Sequence, residues 1–164
     1  MRKYNGEEID PTMKSGSITL IFSLLAVPMM TLAVDIPAGG FAGTWKCNLA
    51  KSKFAGPTPQ SEVFTINPDS RFSITVISAD GKTSTWSYKP QAGLAVPVEG
   101  RGPNVTVILR KVNAHRTEQT WNIDGRPAKS FTILSKDGKT QTFHIDGTGK
   151  DNKPFVEDVV YEKQ

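Results

Sequence analysis

The sequence predicts an all-β domain: an up-and-down antiparallel β-barrel of about 8–10 strands over residues 34–164. Three observations carry that expectation. Short runs rich in Val, Ile, Thr and aromatic residues alternate apolar with polar side chains. Asp-Gly pairs stand between those runs, at Asp80-Gly81, Asp124-Gly125, Asp137-Gly138 and Asp146-Gly147, where tight hairpins need a positive φ. No helical period of any length follows residue 33.

The elements follow in chain order. Ile18–Ala33 is an apolar run preceded by Met13-Lys14-Ser15, interrupted by Pro28 and ending in Thr31-Leu32-Ala33. It is shorter than the roughly 20 apolar residues that span a bilayer, and its small closing residues fit a signal-peptidase site. Residues 1–33 are therefore expected to form a signal peptide with an upstream extension, the true start being Met13. Cleavage after Ala33 would export residues 34–164 without a membrane anchor; an uncleaved anchor is the alternative.

Strands are expected near 43–48, 61–67, 71–78, 82–89, 94–98, 104–112, 116–123, 127–135, 139–146 and 154–162. In RFSITVIS, Phe72, Ile74 and Val76 share a face; in NVTVILRK, so do Val105, Val107 and Leu109. Phe131 and Ile133 are the apolar partners in KSFTILS, and Phe143 and Ile145 those in KTQTFHI. Phe72, Phe131 and Phe143 are read as core. Residues 49–60 have room for one helical turn before Gly56-Pro57. Strands linked by short hairpins form a meander, and closing it removes the exposed edges of a sheet this wide. A sandwich is the competing architecture, and it normally needs longer Greek-key connections.

Charge and side-chain chemistry narrow the function classes. The net charge of +4 is spread along the chain with no run of Lys and Arg among aromatics, which argues against nucleic-acid binding. Cys47 is the only cysteine, so it has no internal disulfide partner and reads as a small apolar filler. His115 falls in a turn. His144 shares a polar face with Thr140, Thr142 and Asp146, and would contact a ligand or haem only if that face turned inward. No residue spacing suggests a zinc site, and no Ser-His-Asp set or strand-turn-helix elbow suggests nucleophilic catalysis. Neither an enzyme, a metal nor a cofactor is expected. The run DGTGKDNKP reads as a long turn.

Gly43-Thr44-Trp45 at the head of the first strand resembles the Gly-x-Trp signature of lipocalins and other calycins. GTWKCNLAKSKF, the Asp-Gly-Lys hairpins and the closing VVYEKQ are similar to small exported bacterial lipocalin-like proteins, over nearly all of residues 41–164. The resemblance implies a calycin-type barrel whose base is plugged by Trp45, with Gly43 letting the chain bend beneath it. Two departures accompany it. No arginine stands on Phe155–Glu162 to pair with that Trp, and Val159 holds the place two before Tyr161 where an Arg-x-Tyr carboxylate anchor would need arginine.

The function expected from these residues is an exported barrel that binds a small hydrophobic or amphipathic ligand. The alternative is a cell-envelope interaction module with a filled interior. Trp86, Tyr88, Trp121 and Tyr161 are the expected lining, because Trp and Tyr join an apolar body to a polar tip. Arg110 is a candidate for holding a carboxylate if it turns inward.

Overall fold

The computed structural model describes residues 40–164, so the expected leader and the start of the mature chain lie outside the described residues. Ten strands form one antiparallel sheet: β1 Gly43–Cys47, β2 Ser61–Ile66, β3 Phe72–Ile77, β4 Thr83–Tyr88, β5 Val96–Pro97, β6 Val105–Asn113, β7 Arg116–Ile123, β8 Arg126–Leu134, β9 Thr140–Thr148 and β10 Pro154–Lys163. A 3₁₀ turn, Leu49–Lys51, follows β1 and is capped by the Asn48 side chain.

The strand order is β4-β3-β2-β1-β10-β9-β8-β7-β6-β5. Sequence neighbours therefore pair throughout, and β1 joins β10 through the pairs Trp45–Lys163 and Cys47–Tyr161. Among the described residues, the one break in the ring lies between β4 and β5. Short hairpins leave each strand no choice but its neighbour, which is why a meander results.

That break is clasped rather than open. Ser87 and Glu99 exchange two backbone hydrogen bonds, of 3.0 and 2.9 Å. The Glu99 carboxylate accepts from Arg71 Nη1 at 2.8 Å and from the Ser87 hydroxyl at 3.0 Å. The Arg101 guanidinium lies 5.0 Å above the Trp86 ring. A Glu99→Ala variant should keep the backbone bridge and lose the carboxylate contacts. Because the pair is largely exposed, the loss should be under about 1.5 kcal/mol, with amide exchange at Ser87 and Glu99 accelerating first. Unchanged exchange at those two amides would show that the side chains do not hold the seam.

Two glycines have positions that the fold requires. Gly43 sits at φ +119°, and an added Cβ would meet Lys163 Cε at 3.2 Å, so it lets β1 start beneath the last strand. Gly147 differs from the expectation. Asp146-Gly147 is not a turn, because β9 continues through it to Thr148 and the chain reverses at 149–153. A Cβ on Gly147 would stand 2.5 Å from Ala128 Cβ and 3.1 Å from Phe155 Cε1. This glycine serves close strand packing, the other use of the residue inside a sheet.

The expected core faces hold in β3, β6 and β9 but reverse in β8. Phe131 and Ile133 lie on the outer surface, and Ala128, Ser130, Thr132 and Leu134 turn inward and are buried. Phe131 is therefore not core. It stacks on His144 at 4.8 Å and lies under Arg116 at 4.4 Å. Register decides this. Trp121 pairs with Ala128 and Gly147 with Ala128, so β8 must present the Ala128 face to the interior occupied by the Trp121 face of β7.

Candidate functional site: the barrel interior

Antiparallel alternation puts connections 48–60, 78–82, 98–104, 124–125 and 149–153 at one end of the barrel. Residues 40–42, connections 67–71, 89–95, 114–115 and 135–139, and the C-terminus lie at the other. The second end is plugged. Trp45 is 0% exposed, its Nε1 donates to Phe41 O at 2.9 Å, and its ring stacks on Phe64 at 6.0 Å. Lys163 Nζ sits 5.2 Å over the indole. The cation absent from Phe155–Glu162 is thus supplied one residue later, by lysine.

Above the plug lies a cavity of about 520 Å³, within the range of roughly 300–1,000 Å³ typical of small-molecule sites. The interior is not filled, contrary to the alternative of a solid barrel. Ala55, Gly56, Arg101 and Gly149 line its rim and come from the connections of the first end, so the cavity opens there.

All four expected aromatic residues face this space. Trp86, Tyr88 and Trp121 build one wall with Phe72: Tyr88 stacks on Phe72 at 4.8 Å, and Trp121 meets Tyr88 and Trp86 edge-on at 5.8 and 6.2 Å. Tyr161 lies on a separate cluster, edge-on to Phe64 at 4.7 Å. Arg110 does not reach the cavity. Its side chain is on the outer face, bonded to Glu118, because Leu109 on its N-terminal side occupies the inward position. Lys111 is the basic residue of that strand that touches the cavity. His144 also faces outward, its Nδ1 2.7 Å from Asp158 Oδ1.

The polar groups of the interior were not among the expected site residues. On β7 and β8 a chain of bonds runs from Trp121 Nε1 to the Ser130 hydroxyl at 2.9 Å, then from that hydroxyl to Gln119 Oε1 at 2.6 Å. Gln119 Nε2 continues it to Thr117 at 3.4 Å. On β2 and β10, the Tyr161 hydroxyl donates to Glu62 Oε1. Gln141 is 1% exposed and its Nε2 has no partner among the described residues. Glu62, Gln141 and Gln119 were legible by parity, whereas Ser130 was not, because β8 turns its larger apolar residues outward. Glu62 alternates with Phe64 and Ile66, Gln141 with Phe143 and Ile145, and Gln119 with Trp121.

Burial raises the Glu62 carboxyl above the usual carboxylate range; the Tyr161 hydrogen bond opposes the shift, the Glu157 charge adds to it and Arg101 opposes it. Burial also raises both Tyr161 and Tyr88, so both stay neutral phenols. A raised carboxyl keeps its proton longer in the folded state than in the unfolded chain. Its contribution is therefore fully present below the ordinary value of 4.5 and is lost as pH rises through the higher folded value. The surface acids act oppositely. Hydrogen bonds from Arg110 hold Glu118 low, and one from Asn48 holds Glu162 low, so their contribution is lost as pH falls below 4.5. Glu62→Gln should thus flatten the fall in melting temperature on the alkaline side of 4.5 and leave the acid limb unchanged. An identical alkaline limb in the variant would show that Glu62 ionises freely in the fold.

The chain matches no protein-family model and no curated protein. Among solved structures it is similar to a Schistosoma mansoni fatty acid binding protein in complex with arachidonic acid, at 16% identity over 78% of this chain and 98% of that one, with a TM-score of 0.51. It is also similar to the wild-type fluorescent protein UnaG, at 14% identity over 76% and 97%, with a TM-score of 0.51. At such identities the likeness is one of fold: an up-and-down barrel of antiparallel strands.

Proposed function

We propose that this chain is an exported lipocalin-like carrier that holds one small hydrophobic or amphipathic molecule inside its barrel. One observation carries the reading: a cavity of about 520 Å³, walled by aromatic rings and closed at one end by Trp45. Apolar burial drives such binding at roughly 25 cal/mol per Å², less the ordering of ligand and side chains. The arachidonic acid in the Schistosoma mansoni structure supports a barrel of this fold as a container for an apolar chain. An interaction role with a packed interior loses its premise here, since the interior is hollow.

Export rests on the leader read in residues 1–33. The intact mass of the protein recovered from the envelope or medium should correspond to a chain starting at Val34. A mass that retains Met13–Ala33 would remove export by cleavage.

Native mass spectrometry of the protein purified from its own source tests the carrier role. A copurifying small apolar mass is expected. Repeated recovery of the bare chain, with no binding of the uncharged dye Nile red, would end the reading.

A further inference from the structure

Four adjacent strands place a row of polar side chains on the inner wall: Glu62 on β2, Cys47 on β1, Tyr161 on β10 and Gln141 on β9. The pairs Cys47–Tyr161 and Tyr161–Gln141 are register partners, and Tyr161 reaches past Cys47 to bond Glu62. Tyr161 engages only Oε1 of Glu62, and Gln141 Nε2 bonds to none of the described residues. A buried donor without a partner is costly, about 1–3 kcal/mol. The row therefore presents a spare carboxyl oxygen and a spare N–H within one apolar cavity.

From this juxtaposition we infer that Glu62, Tyr161 and Gln141 form a head-group site for an uncharged hydroxyl, so that the barrel prefers long-chain alcohols to fatty-acid anions. The inference rests on the carrier reading above and adds the class of its ligand. A hydroxyl has one donor and two acceptor lone pairs. It can donate to Glu62 or accept from Gln141 Nε2, both of which line the cavity, and it adds no charge in either contact. A carboxylate can accept from Gln141 but places a second negative charge beside Glu62 and near Glu157. Two carboxylates sharing a poorly solvated site do not both stay ionised. An ammonium can donate to Glu62, yet it leaves the Gln141 donor unpaired and must shed its own hydration.

The cations of the cavity do not reverse this ranking. Arg101 is at the rim, over Trp86, and Lys111 is exposed. Both head groups sit at the exposed rim, where a surface ion pair is worth about 0–1 kcal/mol. The place at which an arginine two before Tyr161 would neutralise an acid holds Val159, and the tyrosine hydroxyl is already committed to Glu62.

The test compares three ligands of one chain length. Nile red, whose binding needs no head group, is first titrated into the purified protein at pH 7.5. It is then displaced with dodecan-1-ol, dodecanoate and dodecylamine. Dodecan-1-ol should compete at least about tenfold better than either charged analogue. Glu62→Gln should bring dodecanoate to within about threefold of the alcohol, mainly by improving the acid. Gln141→Leu should lower the affinity for dodecan-1-ol about tenfold relative to that for Nile red measured in the same variant. Should Glu62→Gln fail to fold, Tyr161→Phe serves instead: it frees Glu62 from its partner and should widen the preference for the alcohol over the acid. Dodecanoate binding as tightly as the alcohol overturns the inference. So does dodecanoate binding that disappears in Lys111→Met and is unmoved in Glu62→Gln, which would put the head at the rim. Failure of Nile red and all three ligands to bind would instead sink the carrier reading, and this inference with it.

Discussion

A Trp45→Ala variant should unfold about 3–5 kcal/mol more easily than the parent, the usual cost of truncating a buried tryptophan. The indole is 0% exposed, so the whole ring is lost from packed surroundings and its stack on Phe64 is left with a hole. The Phe41 carbonyl also loses its donor, a bond of 2.9 Å. The Lys163 contact over the ring adds little, since cation–π contacts at exposed sites are worth about 0.5–1 kcal/mol. Lys163→Met should accordingly shift stability by no more than that. Most domains hold only about 5–15 kcal/mol in total, so the alanine variant should stand near the edge of folding. Urea titration at 25 °C checks this. A midpoint change equivalent to less than 1 kcal/mol would mean that Trp45 is not the stopper of this end. Trp45→Phe should recover roughly half the loss, because it restores the stack without the hydrogen bond.

The double variant Ile74→Trp with Thr132→Trp should abolish occupancy while the barrel stays folded. In the ring order, β3 and β8 stand five places apart, on opposite walls. Ile74 and Thr132 both face the cavity. Two indoles entering from opposite sides fill space that is otherwise open, so neither must displace the backbone, and overpacking strain should stay within about 1–3 kcal/mol. Nile red affinity should fall at least about a hundredfold, and circular dichroism should keep its β signature. Undiminished dye binding by the folded double variant would show that the dye sits elsewhere and that the interior is not the site.

The residues that misled and those that spoke plainly differ in one physical respect. In β3 and β6 the apolar side chains face inward, so alternation alone names the buried face: Ile74, Val105, Val107 and Leu109 are all buried as expected. In β8 the larger apolar residues, Phe131 and Ile133, face outward, because the inner positions carry Thr132 and Ser130, whose hydroxyl accepts from Trp121 and donates to Gln119. A cavity wall that must offer polar groups inverts the contrast that a solid core would show. Hydrophobicity then points to the wrong face, and only the neighbours' register corrects it. Gly147 teaches the same lesson at a single residue. After an aspartate it reads as a turn, and its role in close packing appears only when Ala128 and Phe155 arrive from other strands.

The binding candidates divide along the same line. Trp86, Tyr88, Trp121 and Tyr161 were named by residue type and all four meet the cavity. Arg110 was named by charge and lies outside, one residue away from the lysine that does line it. Charge says what a side chain can hold, while parity says where it points, and a step of one residue reverses the face.

By itself, the chain's two-residue alternation and turn placement determined a meander of about ten strands with a tryptophan at its head, since both are local properties of backbone and side chain. The tertiary structure alone decided that the ring closes through β1 and β10, that its seam lies between β4 and β5, and that Glu62 meets Tyr161 at a sequence separation of 99. Those outcomes depend on contacts between residues far apart in sequence, whose geometry is set by strand register and barrel closure rather than by any local pattern.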